Sequence, residues 1–565
     1  MIAAMFAAGC IALLLGYRIY GRFLERQFEV DPSRPTPANT MADGVDYVPA
    51  KAPVLFGHHF SSIAGAGPIV GPITAAAAFG WLPACAWMIL GAVFVGGTHD
   101  FASLMTSIRH KSRSIGEICR IYLSPTTYRL FLAFVWLALV YVLIVFLDLT
   151  AAMFSPAASN VGDSARTIVD GGSVATAAII YIGLALMFGL LTNRWGIGLK
   201  AGSMVFVPLV FAALLVSQEL PTVMPPVAGL EPAAVWSIVL LAYCFVASVL
   251  PVWMLLQPRD YLSSFLLYAC VLSGGLGLIV SSATGNLPLK YPAFVSAYDP
   301  GLGFIFPAMF IVIACGAVSG FHSIVASGTT AKQLPSEKAA RPVTYGAMIV
   351  EAVLGLISLA AIMWVAGKPH EAPTAAFAHG IGQFLSVFGV PVALGSSFGL
   401  LAISTFLLTT LDTCTRLARY ILEELLGAAG GAWRFASTIA TLALPFAIIF
   451  YKIPDPVTGG YLPAWRAVWP VFGATNQLLA AMALLVVFVW RVHLRKPVYF
   501  VALPMVLMIV TAGTGLVQLL NSAICGGQTL IGTLSGVLLA MAAALLIDIA
   551  VSWKKITSAK DASAR

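Results

Sequence analysis

Residues 56–74 read Phe56-Gly-His-His-Phe-Ser-Ser-Ile-Ala-Gly-Ala-Gly-Pro-Ile-Val-Gly-Pro-Ile-Thr74. The stretch opens an apolar run long enough to cross a membrane, yet it carries four glycines and two prolines. Pro68 and Pro72 have no backbone N–H, and their rings crowd the preceding turn. In hydrocarbon, each carbonyl freed in this way costs several kcal/mol unless it finds a partner. Interrupted backbone at membrane depth is therefore buried in protein or lines a cavity, and in transporters such breaks mark solute and ion sites.

The rest of the chain has the composition this reading needs. Of 565 residues, 60% are hydrophobic and 10% charged, against roughly 45–50% and 25% in soluble domains. The formal charge of +8 fits basic cytoplasmic loops rather than a nucleic-acid footprint. Eight cysteines give no pairing framework, and Cys10, Cys85, Cys244, Cys270, Cys315 and Cys414 fall in apolar runs. Residues 2–16 are apolar with basic residues after them, which argues against a cleaved signal peptide.

About fifteen runs have the roughly 17–25 apolar residues a crossing needs: 2–20, 58–79, 83–107, 127–150, 174–192, 198–217, 234–256, 262–284, 303–327, 343–366, 389–412, 433–451, 467–490, 497–519 and 529–552. The expected fold is an all-α polytopic membrane protein. Arg18, Arg22 and Arg26 follow the first run, so the N-terminus is expected outside and the C-terminus in the cytoplasm. Expected cytoplasmic segments then hold Arg109, Lys111, Arg113, Arg194, Lys200, Arg259, Lys332, Lys338, Arg341, Arg416, Arg419, Arg491, Arg495, Lys496, Lys554 and Lys555. External loops hold scattered ones, among them Arg166, Lys290, Lys368 and Lys452. Loops 25–57 and 151–173 and the tail are too short to be globular domains. Segment 370–388 reads as an external amphipathic or re-entrant helix.

A second interruption is expected at the end of run 234–256, where Pro251 lies inside the run and Pro258 closes it. Five runs begin with the first broken one and five with this one. An odd number reverses the sense of entry, the pattern of an inverted repeat with its site between two broken helices. The organisation drawn from this is an N-terminal helix and loop over 1–57, repeats over 58–217 and 218–412, peripheral helices over 413–552 and a tail over 553–565.

Ionisable groups inside spans are costly, so each is a functional hypothesis. His99 and Asp100 lie more than two turns from the basic exit at Arg109, His322 lies a similar depth before Lys332, and His58 and His59 stand at the mouth of the first broken helix. Histidine titrates near pH 6.5, so these groups suit a proton relay. Asp148, Glu351, Asp412 and Asp548 lie within or near span ends, and the first, third and fourth are read as reaching the interface. Ser319, Ser323 and Ser327 are spaced by four and share a helix face with nearby His322 and Thr330. They read either as small-residue packing or as a hydroxyl stripe on a translocation path. Adjacent His58 and His59 point apart, and no other tight ligand spacing supports a metal site.

The stretches GHHFSSIAGAGPIVGPI (57–73), GGTHDF (96–101), RHKSRSIGEI (109–118), LPVWMLLQPRDYL (250–262) and SGFHSIVASGTTAKQL (319–334) closely resemble the carbon starvation protein A family. The resemblance spans about residues 50–500. It implies an inner-membrane transporter of pyruvate, driven by a proton gradient, or of peptides, with a leucine-transporter-like five-plus-five inverted-repeat core. It also implies that Gly65, Gly67 and Pro68 form the unwound part of the first broken helix and Pro251 to Gln257 that of the second. Ser61, Ser62 and Gln257 would hydrogen-bond a small polar solute, and Trp253 would shape or gate the pocket. In that fold the span holding Ser323, Ser327 and Thr330 is the third of the second repeat and shares an ion site with the first broken helix.

The expected function is a secondary transporter importing a small carboxylate such as pyruvate under nutrient limitation, with protons favoured over sodium and no cofactor. A peptide transporter of the same fold is the alternative; it would need a carboxylate such as Asp100 or Glu351 for the ammonium group. A nutrient sensor would need a signalling module, and none is visible. The charged rings of channels and the HExxH, GxSxG and phosphate-loop motifs of enzymes are absent.

Overall fold

The structure is a computed structural model of residues 1–565. It describes all of them except 44–46, 156–170, 228, 252, 368–370, 429, 452, 455–459 and 559–565, and leaves out the side chains of 193 and 552–558. Arg166, Lys368 and Lys452, the side chains of Lys554 and Lys555, and most of the 553–565 tail lie outside the described residues.

The helices in chain order are α1 (Ile2–Gln27), α2 (Ala52–Ile63), α3 (Gly67–Phe79), α4 (Trp81–Arg109), α5 (Ile115–Tyr122), α6 (Pro125–Phe154), α7 (Gly171–Asn193), α8 (Leu199–Glu219), α9 (Pro232–Val249), α10 (Leu256–Ala283), α11 (Ile305–Val312), α12 (Ala314–Ala317), α13 (Gly320–Val325), α14 (Tyr345–Met363), α15 (Pro373–Ser386), α16 (Val392–Leu426), α17 (Trp433–Ile449), α18 (Ala464–His493), α19 (Tyr499–Cys525) and α20 (Thr529–Ser558). Among the described residues, twelve helices are long and apolar enough to cross a membrane, or thirteen if the bent pair α2–α3 is one span. The chain is a multi-pass membrane protein. The expected count of fifteen is not reached by this measure. Run 303–327 is divided among α11, α12 and α13, and α17 is a shorter apolar helix.

Burial separates the centre from the perimeter. The apolar window of α18 is 94% buried, and those of α16 and the 337–363 segment are 83% buried. The corresponding windows of α1 and α20 are only 22% and 28% buried. A helix apolar on all sides is at home either deep in a bundle or against lipid. Local signals set the ends. Ser114 and Glu117 form a reciprocal capping box at the start of α5. Gly80 (φ 101) turns the chain between α3 and α4 hard against the Ala293 backbone, where a side chain has no room.

Loop 25–57 makes no domain of its own. Thr36 donates to the Leu334 carbonyl at 2.6 Å. Glu337 pairs with Arg109 and stands 3.6 Å from Arg34. Lys496 pairs with Glu29, outside the spans, and this hydrogen bond holds the Glu29 carboxyl below its ordinary range. Helix α15 covers the ambiguous 370–388 segment; it is too short to cross and buries Phe377, Ile381 and Phe384 against its neighbours.

The expected break at Pro251 is corrected. Residues 250–255 join α9 and α10, each long enough to cross alone, so they link two spans rather than interrupt one. The repeat drawn from residue 218 therefore does not begin with a broken helix. Proline ends helices as readily as it interrupts them. Pro251, Trp253 and Gln257 are all exposed.

Candidate functional site

The first break is where the sequence places it. Helix α2 stops at Ile63, Ala64 leaves helical geometry (φ −76, ψ 79), and α3 resumes from Gly67, the two axes bent by 47°. Pro68 falls in the first turn of α3, where a missing N–H costs nothing; Pro72 is the one inside the helix. The second break lies between α12 and α13. Val318 (φ −162, ψ 128) and Ser319 (φ −131, ψ 127) are extended there. Past α13 the backbone widens into a π turn over Ala326–Thr330, and α4 holds another over Gly91–Gly96. Such turns are uncommon and concentrate at functional sites.

Small residues bring the two breaks into contact. A Cβ on Gly67 would run into Cys315, one on Gly71 into the Val312 carbonyl, and one on Gly96 into the Ala317 carbonyl. Asn476 of α18 fastens the second break. Its Oδ1 accepts from the Phe321 N–H at 3.2 Å, and its Nδ2 donates to Ser319 Oγ at 3.1 Å and Cys315 Sγ at 3.4 Å. This is a helix N-terminal cap supplied from another helix. Asn476→Ala is expected to lower stability by about 1–2 kcal/mol, seen as a lower unfolding midpoint of the detergent-solubilised protein.

Between the breaks lies a cavity of about 20 Å³, lined among others by Gly65, Phe146, Ser319, Thr410, Phe472 and Asn476. It has room for about one water. Ser61 and Ser62 both donate to the His58 carbonyl, and Ser323 donates to Gly320. These expected solute and ion ligands are therefore turned back onto their own helices. Ser327 donates to Ser323 and accepts from the Ile115 N–H at 3.1 Å, so it positions α5. Pro251, Trp253 and Gln257 are not among the lining residues.

Beside the breaks is a polar centre without exposure. Asp100 bridges two histidines: Oδ1 lies 2.9 Å from His99 Nδ1, and Oδ2 lies 2.9 Å from His322 Nδ1. His322 Nε2 stands 3.4 Å from Glu351. All four side chains are fully buried. Helix α13, which carries His322, packs against α2 as well as against α4, which ties this centre to the first break. His59 Nδ1 lies 2.8 Å from Thr330 Oγ1, across to the π turn. Two carboxylates and two imidazoles in one dry enclosure can hold and exchange protons. Among the described residues, no group of three or more His, Cys, Asp or Glu is arranged to hold a metal ion.

His58 points the other way, 3.4 Å from Asp260. Asp260 pairs with Arg259, which also pairs with Asp412 and donates to Tyr243. Here the sequence reading is corrected twice. Arg259 is not a loop cation and Asp412 is not at an interface; both are fully buried. Arg416 and Arg419, also assigned to a cytoplasmic segment, are buried as well. The sequence reading missed Asn476, Thr410 and Phe146. Asn476-Gln477, two amides inside run 467–490, was the available signal for the first of them.

Two interrupted helices in contact, a small cavity between them and buried titratable groups beside it define a polytopic membrane protein built around a polar centre. The chain belongs to the carbon starvation protein CstA family, whose model, described as "Carbon starvation protein CstA", matches residues 1–372 and 366–515. It is 32% identical to the peptide transporter CstA of Campylobacter jejuni, over 87% of this chain and 76% of that one. It is 30% identical to the peptide transporter CstA of Bacillus subtilis, over 100% and 98%. Against the pyruvate/proton symporter BtsT of Escherichia coli it is 29% identical, over 86% and 77%. The Eremococcus coleocola manganese transporter structure superposes with a TM-score of 0.45 at 10% identity, covering 92% of this chain and 99% of that one; a likeness that weak carries no weight.

Proposed function

We propose that the protein is a secondary transporter that imports a small carboxylate of the pyruvate class, coupled to protons, across the bacterial inner membrane under nutrient limitation. The N-terminus is outside and the C-terminus cytoplasmic, as the basic residues of the loops argue. The observation that carries the reading is the packing of α13 against α2 at the first break, with His322 of α13 held 2.9 Å from Asp100.

The solute carboxylate binds between the breaks. The first turn of α3 presents the Gly67 N–H and a positive dipole end, which suit an anion, while the Ile69 and Val70 N–H groups already bond the Ala66 carbonyl. Gly65 keeps the backbone open at that point, and Asn476 and Thr410 line it; to donate to the solute, Asn476 gives up its bond to Ser319 or Cys315 and Thr410 its bond to the Phe406 carbonyl. In this closed form Ser61, Ser62, Ser323 and Ser327 bond to their own helices and are freed only if those turns unwind. The proton rides on the His99–Asp100–His322–Glu351 group, with His59 and Thr330 alongside. Loading the proton changes the hydrogen bonding of His322 and with it the packing of α13 on α2, so proton and solute occupancy influence each other.

Uptake of labelled pyruvate into proteoliposomes is expected to follow an imposed inward proton gradient and to persist without sodium. Uptake that requires sodium and ignores the pH gradient would refute the coupling. The relatives named peptide transporters favour a second reading, in which the solute is a short peptide. Labelled dipeptide should then be taken up and pyruvate not, whereas under the carboxylate reading pyruvate is taken up and excess unlabelled dipeptide leaves that uptake intact.

A further inference from the structure

Helix α2 carries two adjacent histidines that face opposite sides, as neighbours on a helix do. His59 serves the Asp100 side. His58 serves a separate buried group: Asp260 and Arg259 of α10, Asp412 of α16 and Tyr243 of α9. Arg259 is fully buried, Asp260 is 1% exposed and Asp412 is fully buried. Tyr243 donates to Asp412 at 2.8 Å, and Arg259 donates to Asp260 at 2.6 Å and Tyr243 at 3.0 Å. Asp412 Oδ1 and Arg259 Nε find no partner.

The charges in direct contact do not balance. One guanidinium faces two carboxylates, and an uncompensated buried charge is costly. The next cation, Arg416, is turned to the carbonyls of Ala247 and Leu250 at the C-terminal end of α9, where the helix dipole meets its charge. His58 is the remaining group that can supply a positive charge to Asp260. Its side chain is 18% exposed, which leaves it open to a proton.

We propose that His58, Asp260, Arg259 and Asp412 form a second proton-binding site, and that its proton latches the half-helix α2 to α10. When His58 takes a proton from water, a new N–H bond forms on its ring and the contact with Asp260 becomes an ion pair. When the proton leaves, the trio is left with one excess negative charge and α2 is held less firmly. The other charged or titratable groups around α2 are Tyr268 of α10, His59 itself, His322 of α13, Asp100 of α4, Glu351 of α14, and Arg341, which pairs with Glu25. The latch rests on the transport reading only in requiring α2 to move.

The test reads that motion and needs no solute. Backbone hydrogen exchange of residues 52–63 is measured on the full chain in lipid nanodiscs at about pH 5.5 and about pH 8, a span wide enough to change the protonation of an imidazole. Rates are normalised to the intrinsic exchange rate at each pH. A proton that strengthens the latch protects α2 below the titration and releases it above. Wild type is expected to be roughly tenfold better protected at the lower pH. His58→Gln and Asp260→Asn should show the weaker protection at both values, and His58→Lys, a permanent cation, the stronger at both. His379→Gln, a histidine of α15 outside both centres, should keep the wild-type difference. A His58→Gln protein that still shows that difference would overturn the proposal, as would a His379→Gln protein that has lost it. Either result is independent of whether pyruvate is carried.

Discussion

Replacing Gly67 by alanine is expected to cut solute uptake by at least about tenfold, and replacing Cys315 by glycine in the same chain is expected to restore much of it. The added Cβ has nowhere to go. It would meet both Cβ and Sγ of Cys315 across the contact between the two breaks. Overpacking a tight contact costs about 1–3 kcal/mol, and at this place the strain falls on the backbone that shapes the cavity. Removing the Cys315 side chain removes the obstacle, so the pair should couple strongly instead of adding. Gly183→Ala is the control, because a Cβ there meets nothing within 4 Å. Uptake per folded protein and the unfolding midpoint together separate a distorted site from a poorly folded chain. A Gly67→Ala protein with wild-type uptake would mean that the close approach of the breaks is irrelevant to transport.

Asp100→Asn is expected to abolish proton-driven uptake, by about a hundredfold or more. Asp100 holds His99 and His322 at 2.9 Å each, in a place closed to bulk solvent. Removing one partner of a buried charged pair costs about 3–5 kcal/mol because the other is left uncompensated. Asparagine keeps the shape but cannot take up the charge that a histidinium needs. His322→Gln should be as severe. The double variant should be little worse than either single one, since groups acting as a unit lose their function once. Solute exchange across the membrane with no pH gradient should survive better than net uptake, because exchange does not require the empty carrier to return. Net uptake that stays at the wild-type level in Asp100→Asn would remove this centre from the coupling.

The legible parts of the sequence were those whose physics is local. Gly65, Gly67 and Pro68 announce a break because glycine and proline act on their own backbone. His99, Asp100 and His322 stand out because charge is rare inside apolar runs. The second break was not legible. Cys315-Gly-Ala-Val-Ser-Gly320 has no proline, and its extended turn is capped by Asn476 of α18, a contact no local pattern carries. Pro251 drew the reading to the wrong place, because the same residue closes a helix. Arg259 was placed in a loop because a lone arginine after a proline looks like a loop cation. Its partner Asp412 lies on a different helix, and only the fold brings them together.

The most direct measurement is an experimental map of the protein with pyruvate bound. The solute's density is expected between Gly65–Gly67 and Cys315–Ser319, with Asn476 and Thr410 at its edge and a cavity larger than the closed one. Density elsewhere, beside Trp253 and Gln257 for example, or breaks that separate with no solute between them, would contradict the account.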